Sequence, residues 1–546
     1  MKRLVLFAFL LVFGLSQANA QLSMKITKQY LNFPISMQEK FGTMSFINKG
    51  TTDYSFNIRL ASDKADYWTF CDVSDWKGKT LTITYTGNQD ALKKVYQSDE
   101  IDGNDSIYKE SYRPLIHFTT RRGWINDPNG LVYYDGEYHL FYQHNPFDHN
   151  WGNMHWGHAV SNDLIHWKEL KDALYPDKLG TIFSGSAVID YNNTSGFGKK
   201  GVPPMVAIYT NDSSEKEVQS IAYSLDKGRT WTKYAGNPVI DSKDKWQNRD
   251  TRDPKVFWHK ESNKWVMVLY ERDGNSFYTS TNLKDWTYES HVTGFFECPN
   301  FLELSIDGNK ADKKWVMFGA SSTYMIGSFD GKTFTPESGK YYFNTGAMYA
   351  AQVYSNIPES DGRQIMFGWG RIETPENVPF NNQMTIPVEL TLRTTKDGVR
   401  LFSNPVREME SLQKNHEEWS NLTADKANEL LRSYQNAPAL RIRTTIKLWH
   451  STTSGLTLFG QPLVEYDMNN NRVNGVFYTP LERTSMELTA DIYLDKTSAE
   501  VFIDGGAYSY SMKRQTVDGN KNGFRFFGQN VAVEKLAVDE LKSIWE

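Results

Sequence analysis

The chain has 546 residues, with 60 Lys and Arg against 65 Asp and Glu and a sequence pI near 6.2. A net charge of -5 without a basic block argues against a nucleic-acid partner, which needs an electropositive face. Two cysteines exclude a disulfide-stapled scaffold, and the length allows two or three domains with sizeable cores. Residues 1–20 read as a secretion signal. Lys2-Arg3 supplies the positive start, residues 4–15 an apolar run, and Ala18-Asn19-Ala20 a small-residue cleavage site. The run is too short to cross a bilayer as a helix, and no other long apolar run exists. The mature protein is therefore expected to be exported, cleaved after about Ala20, with no transmembrane segment.

Residues 21–110 form an expected accessory β-domain. Residues 55–60 and 80–85 alternate polar and apolar side chains with period two, as half-buried strands do. No cluster of His, Asp or Glu marks this region. From 111 to 404 the signal is repetition. Ser161-Asn162-Asp163-Leu164-Ile165-His166-Trp167 returns as Ser224-Leu225-Asp226-Lys227-Gly228-Arg229-Thr230-Trp231. It returns again as Ser280-Thr281-Asn282-Leu283-Lys284-Asp285-Trp286 and Ser328-Phe329-Asp330-Gly331-Lys332-Thr333-Phe334. The aromatics lie 64, 55 and 48 residues apart, each after a strand-like run, which is the pattern of propeller blades. With an opening stretch around Asp127 the count is five. Residues 405–435 read as a linker with short helices at 407–412 and 427–431. Alternation returns over 436–546, as in residues 499–504, and predicts a β-sandwich. The expected fold is all-β: a small N-terminal β-domain, a five-bladed β-propeller and a C-terminal β-sandwich.

The chemistry centres on Trp124-Ile125-Asn126-Asp127-Pro128-Asn129-Gly130, which reads as a tight turn holding one carboxylate. On its own such a turn needs no chemistry. Its company changes the reading. Gln143, Trp151, Phe183-Ser184-Gly185-Ser186, Arg252-Asp253-Pro254 and Glu297-Cys298 follow in order. A propeller brings inner-strand residues from distant parts of the chain to one end of a central channel. Asp127, Asp253 and Glu297 fall at comparable places in three successive blades on this reading. Glu297 lies between Phe295-Phe296 and Cys298-Pro299, where an unpaired carboxylate is costly and the protonated form of a general acid is favoured. A nucleophile or base and a protonated acid are the pair that glycoside hydrolysis requires. His139, His144, His149, His155 and His158 lack metal-ligand spacing and are expected to hydrogen bond and pack, so no metal or cofactor is expected. Cys71 and Cys298 are read as free thiols.

These motifs, with Phe141-Tyr142-Gln143, Trp156-Gly157-His158-Ala159 and Phe367-Gly368-Trp369, resemble glycoside hydrolase family 32, the invertases, inulinases and levanases. The resemblance implies a propeller plus sandwich and retaining hydrolysis of β-fructofuranosides, with the nucleophile and acid carboxyls about 5–5.5 Å apart. It implies Asp127 as nucleophile, Glu297 as general acid/base and Asp253 as transition-state stabiliser. Trp124, Asn126, Gln143, Trp151, Phe183, Ser184, Arg252 and Trp369 would line the pocket for the terminal fructose. Ile125 stands where Met is common and Thr251 where Phe is common. The extra N-terminal domain resembles that of exported bacterial fructan hydrolases. The expected partner is a fructan or fructo-oligosaccharide, cleaved from its end, with sucrose also a substrate. An endo-levanase, a fructosyltransferase and a non-catalytic fructan-binding protein are the alternatives on the same fold.

Overall fold

Residues 20–448, 452–477, 487–515 and 523–546 are described by the structure, a computed structural model. The secretion signal lies, up to Asn19, outside the described residues. Among them no helix is long and apolar enough to cross a membrane. The chain divides into two compact units, residues 1–102 and 103–546.

The first unit pairs two small antiparallel sheets. One runs in the order Ala20–Lys25, Thr80–Tyr85, Gly42–Asn48, Thr51–Ile58, and the other Tyr67–Asp72, Tyr30–Ile35, Tyr96–Ser98. Alternation buries Leu81, Ile83 and Tyr85 from one strand, and Phe33 of the second sheet meets Phe56 of the first edge to face.

In the second unit five blades follow in chain order. The inner strands are Gly123–Tyr134, Thr181–Ile189, Thr251–His259, Asn300–Ile306 and Met348–Val353. The repeated motif is the turn between the third and fourth strands of the first four blades. In the first three, Ser161, Ser224 and Ser280 each bond the acid or amide two residues on. The Trp167, Trp231 and Trp286 indoles donate to the carbonyl three residues back, at 3.0, 3.0 and 3.1 Å. The residue accepting that bond is left-handed: Leu164, Gly228 and Leu283 have φ of 67°, 74° and 62°. Leucine tolerates this unfavourable region because its side chain is buried in the blade core.

All five inner strands lose register, between Ile125 and Pro128 and again between Asn129 and Val132, Ile182 and Gly185, Arg252 and Lys255, Ser305 and Ile306, and Tyr349 and Gln352. Bulges turn side chains that would alternate across the sheet toward a single end of the channel. The segment around Asp127 is thus not the tight turn expected. It is a doubly bulged strand, in which Gly130 at φ 53° passes so close to Phe141 and Trp156 that a Cβ would lie 2.7 and 2.9 Å from them. The ring closes when Phe380–Asn381 pairs parallel with Gly123 and Trp124.

The sandwich stacks a seven-stranded sheet on a five-stranded one. Within 405–435 the structure has a 3-10 turn at Arg407–Leu412 and a helix at Ala424–Leu431. It also has a strand, Gln413–Thr423, which forms the edge of the larger sheet against Ala532–Leu541. That strand is mostly exposed and polar, so it carries no alternating signal. Propeller and sandwich share one core: Met366, Phe367 and Ile386 pack in the same cluster as Tyr493, Phe502 and Leu541. Across that joint His117 is buried between Asp495 at 2.7 Å and Glu500 at 3.0 Å. Asp495 also accepts from the Leu115 and Ile116 amides, and Glu500 from Ile386 N.

Burial alone would lower the His117 pKa, but the two carboxylates raise it to about 9. A raised folded value places the stabilisation below the unfolded value near 6.5 and removes it as pH climbs through 9. The thermal midpoint of the protein is therefore expected to fall between pH 7 and 10. His117→Gln should be less stable at pH 7 by on the order of 2–4 kcal/mol, because it leaves buried carboxylates unpaired, and should lack that fall. A parallel pH profile in the two proteins would remove His117 from this role.

Candidate active site

Asp127, Asp253 and Glu297 do converge, but from the first, third and fourth blades rather than three successive ones. Asp127 projects from the bulge of Gly123–Tyr134 and Asp253 from that of Thr251–His259. Glu297 stands in the segment leading into Asn300–Ile306. The second blade contributes Ser184, whose hydroxyl donates to Asp127 Oδ2 at 2.6 Å. The residue joining the acids is Cys298. Its thiol lies 3.4 Å from both Asp127 Oδ2 and Asp253 Oδ2, and its amide donates to Asp253 Oδ2 at 3.0 Å. Neither Cys71 nor Cys298 is in a disulfide.

Backbone strain collects here. Asp253, Glu297 and Cys298 all lie at positive φ, 66°, 47° and 42°. Left-handed non-glycine residues persist where their surroundings over-determine them. Asp253 N donates to Thr210 Oγ1 at 3.0 Å, and the Phe296 and Glu297 carbonyls both accept from Ala320 N.

The acids are paired asymmetrically. Glu297 is not the unpaired carboxylate the sequence suggests. Arg252 donates to its Oε1 through Nε at 3.0 Å and an Nη at 2.8 Å, and the Tyr349 hydroxyl donates to Oε2 at 3.0 Å. Asp127 receives Asn126 Nδ2 at 3.1 Å, and Asn126 in turn accepts from the Trp124 indole at 2.8 Å. Burial raises the Asp127 pKa; bonds from Ser184 and Asn126 pull against it, and the Glu297 charge adds to the rise. Burial likewise carries Asp253 up to about 7, against the pull of Arg252 and with the charges of Glu297 and Asp127 adding. The same burial and charges push the Cys298 thiol well above its usual value, so it stays a neutral S–H donor.

Around the acids, Gln143 is buried and donates to the Ile182 carbonyl at 3.0 Å. Asn129, with its amide turned to face complementary groups, accepts from Gln143 and donates to Ser184. Trp369 packs against Trp124 and Tyr349, and its indole N–H is buried without a protein acceptor. Trp151, 55% exposed, meets Phe183 edge to face and stands at the rim. All eleven residues singled out by the sequence therefore lie in one linked set. Ile125 is buried in the core, while the Thr251 hydroxyl donates to the Glu217 carbonyl. Sequence reasoning missed Tyr349, Cys298 as the link, and Glu217, which holds the far side of Arg252. Cys298 had a signal in its place beside Glu297; Glu217 had none.

Below the acids the channel is plugged. Gln352 bonds Leu131 N and Gly185 O, and Lys255 donates to the Val353 carbonyl at 2.6 Å, its own pKa drawn down to about 7 by burial. The cavity there, lined by Pro128, Asp253, Lys255 and Cys298 among others, holds about 10 Å³, room for one water. The histidines serve structure: His139 bonds His158, and His144 bonds Asp172. Burial lowers His139 and His155 to about 4.

Carboxylates gathered at the blind end of a propeller channel, with an aromatic rim, are the equipment of a glycosidase. The family described as Glycosyl hydrolases family 32 N-terminal domain matches residues 117–405. The chain is 40% identical over 512 residues to a levanase of Bacillus subtilis, covering 83% of this chain and 74% of that protein. It is 34% identical over 522 residues to an extracellular exo-inulinase of Aspergillus niger, covering 80% of this chain and 96% of that one. The solved exo-inulinase of Aspergillus awamori superposes with a TM-score of 0.69 at 30% identity, over 80% of this chain and 100% of that chain. The fructofuranosidase of Schwanniomyces occidentalis complexed with fructose gives 0.68 at 28% identity, over 80% and 99%. The chain belongs to glycosyl hydrolase family 32.

The Asp253 carboxyl, raised from an unfolded value near 3.8, keeps in the fold a proton that the unfolded chain releases. Its contribution to stability is complete below about pH 4 and is lost as pH rises through 7. Asp253→Asn, neutral throughout, is expected to melt above the wild type at pH 8 and close to level with it at pH 3.5. An equal offset at both pH values in calorimetry would show that the carboxyl is not buried as its proton form.

Proposed function

We propose that this protein is a retaining exo-fructanase that releases terminal β-D-fructofuranosyl units from levan or inulin, and from sucrose. The observation that carries the reading is the split environment of the two outer acids. Asp127 is held by neutral donors, Ser184 and Asn126, while Glu297 sits between a guanidinium and a phenol. The first arrangement leaves a carboxylate free to attack; the second suits a group that gives a proton and takes it back.

In the proposed first step Glu297 protonates the leaving oxygen while Asp127 bonds to the fructosyl C2, whose developing positive charge is met by a carboxylate on one face. In the second, Glu297 takes a proton from water, which attacks C2 and frees Asp127. Asp253 binds ring hydroxyls, and the unpaired Trp369 N–H is a donor for the same sugar. The plugged floor supports action at chain ends, because a polymer cannot thread the channel. The extracellular inulinase relatives support export.

Asp127→Ala and Glu297→Gln should each lower turnover by more than about a thousand-fold with unchanged circular dichroism. Near-normal activity in either would sink the assignment. Chromatography of early products from levan, inulin and sucrose should show fructose alone. A ladder of oligosaccharides would replace the exo reading with an endo one. With methanol as acceptor, the product should be the methyl β-fructofuranoside; the α-anomer would exclude a covalent intermediate on Asp127.

A further inference from the structure

Arg252 has two edges, and only one faces the acids. Its Nε and one Nη meet Glu297 Oε1, while the other Nη donates to both oxygens of Glu217, at 3.2 and 3.0 Å. Glu217 opens the third strand of the second blade, Glu217–Ser224, and its side chain is 4% exposed. Two more bonds fix it: Thr251 N donates to Oε2 at 2.9 Å, and the Thr251 hydroxyl to its carbonyl at 3.0 Å. Tyr270 lies against the guanidinium, 5.1 Å from ring centre to Cζ. The arginine is thus gripped from behind by a buried carboxylate that touches neither Glu297 nor Asp127.

A guanidinium free to turn would seat two parallel N–H groups on both oxygens of Glu297, the strongest pairing available to it. That pairing would occupy both oxygens of Glu297 and displace the Tyr349 hydroxyl from Oε2. We propose that Glu217 is a positioning residue for proton transfer: by occupying the third nitrogen of Arg252 it confines the guanidinium to one oxygen of Glu297 and leaves the other for Tyr349 and the leaving group. This rests on the reading of Glu297 as acid/base. The charged groups facing Glu297 are Arg252 and the carboxylates of Asp127 and Asp253, with the neutral Cys298 thiol and Tyr349 hydroxyl beside it. Those facing Glu217 are Arg252, Arg249 at 3.7 Å and Asp212; Asp250 shares the same Arg252 nitrogen at 3.2 Å but is far more exposed. Burial raises the Glu217 carboxyl and Arg252 pulls it down, so removing either partner disturbs the other.

The test compares sucrose, whose leaving alkoxide needs a proton, with p-nitrophenyl β-D-fructofuranoside, whose phenolate does not. Glu217→Ala should lower kcat/KM on sucrose by about 100-fold and on the aryl substrate by less than about 5-fold. Glu217→Gln keeps the shape and one acceptor oxygen, and should lie between, with a loss of about 10-fold. Should Glu217→Ala fail to fold, the Gln variant carries the same test in the same direction. Equal losses on both substrates would overturn the proposal. Glu297→Gln is the control. If it too loses both substrates equally, the acid/base reading fails and this proposal falls with it. If it loses sucrose alone while the Glu217 variants lose both, only the present proposal fails.

Discussion

Three carboxylates gathered around one thiol, two of them in contact with it, are an electrostatic problem before they are an active site. Like charges in a buried setting each raise the cost of ionising the next. The molecule divides the problem instead of cancelling it. Arg252 is given to Glu297 and Glu217, Asp127 receives hydroxyl and amide donors, and Asp253 is left close to neutrality with its proton near pH 7. A second guanidinium on Asp127 would make a more stable fold and a poorer nucleophile.

This division depends on where the blades break. A regular inner strand sends neighbouring side chains to opposite faces, so Asn126 and Asp127 could not both serve the site. The bulges at residues 125–128 and 252–255 permit it, and the left-handed pair Glu297-Cys298 does the same on the fourth blade without a strand. The turn motif that repeats between outer strands does the opposite work: it keeps the blades alike so that the ring closes, whatever happens at the centre.

The two kinds of feature differed in how legible they were. Turns written in Ser, Asp and Trp are local, and their spacing exposes the blades. The three acids stood inside recognisable motifs, so their convergence could be expected from a propeller, though not which blades supply them. Bulges leave no such mark: Asn126 to Gly130 has the composition of a turn, and only pairing with Glu137–Asn145 makes it a strand. Glu217 sits in a run that reads as a solvated strand start, and its partner lies 35 residues on. The strand at Gln413–Thr423 is polar because it is an edge, and an edge strand need not alternate. What stays hidden is what depends on long-range pairing rather than on local chemistry.

The parallel pairing of Phe380–Asn381 with Gly123 and Trp124 fixes when the site can exist. The strand that carries Asp127 lacks its last neighbour until more than 250 further residues have been made, from Asp127 to Asn381. During synthesis the blades that carry the acids all precede the segment that closes the ring. A chain cut before Phe380 would carry all three acids and still leave the strand of Asp127 with an open edge.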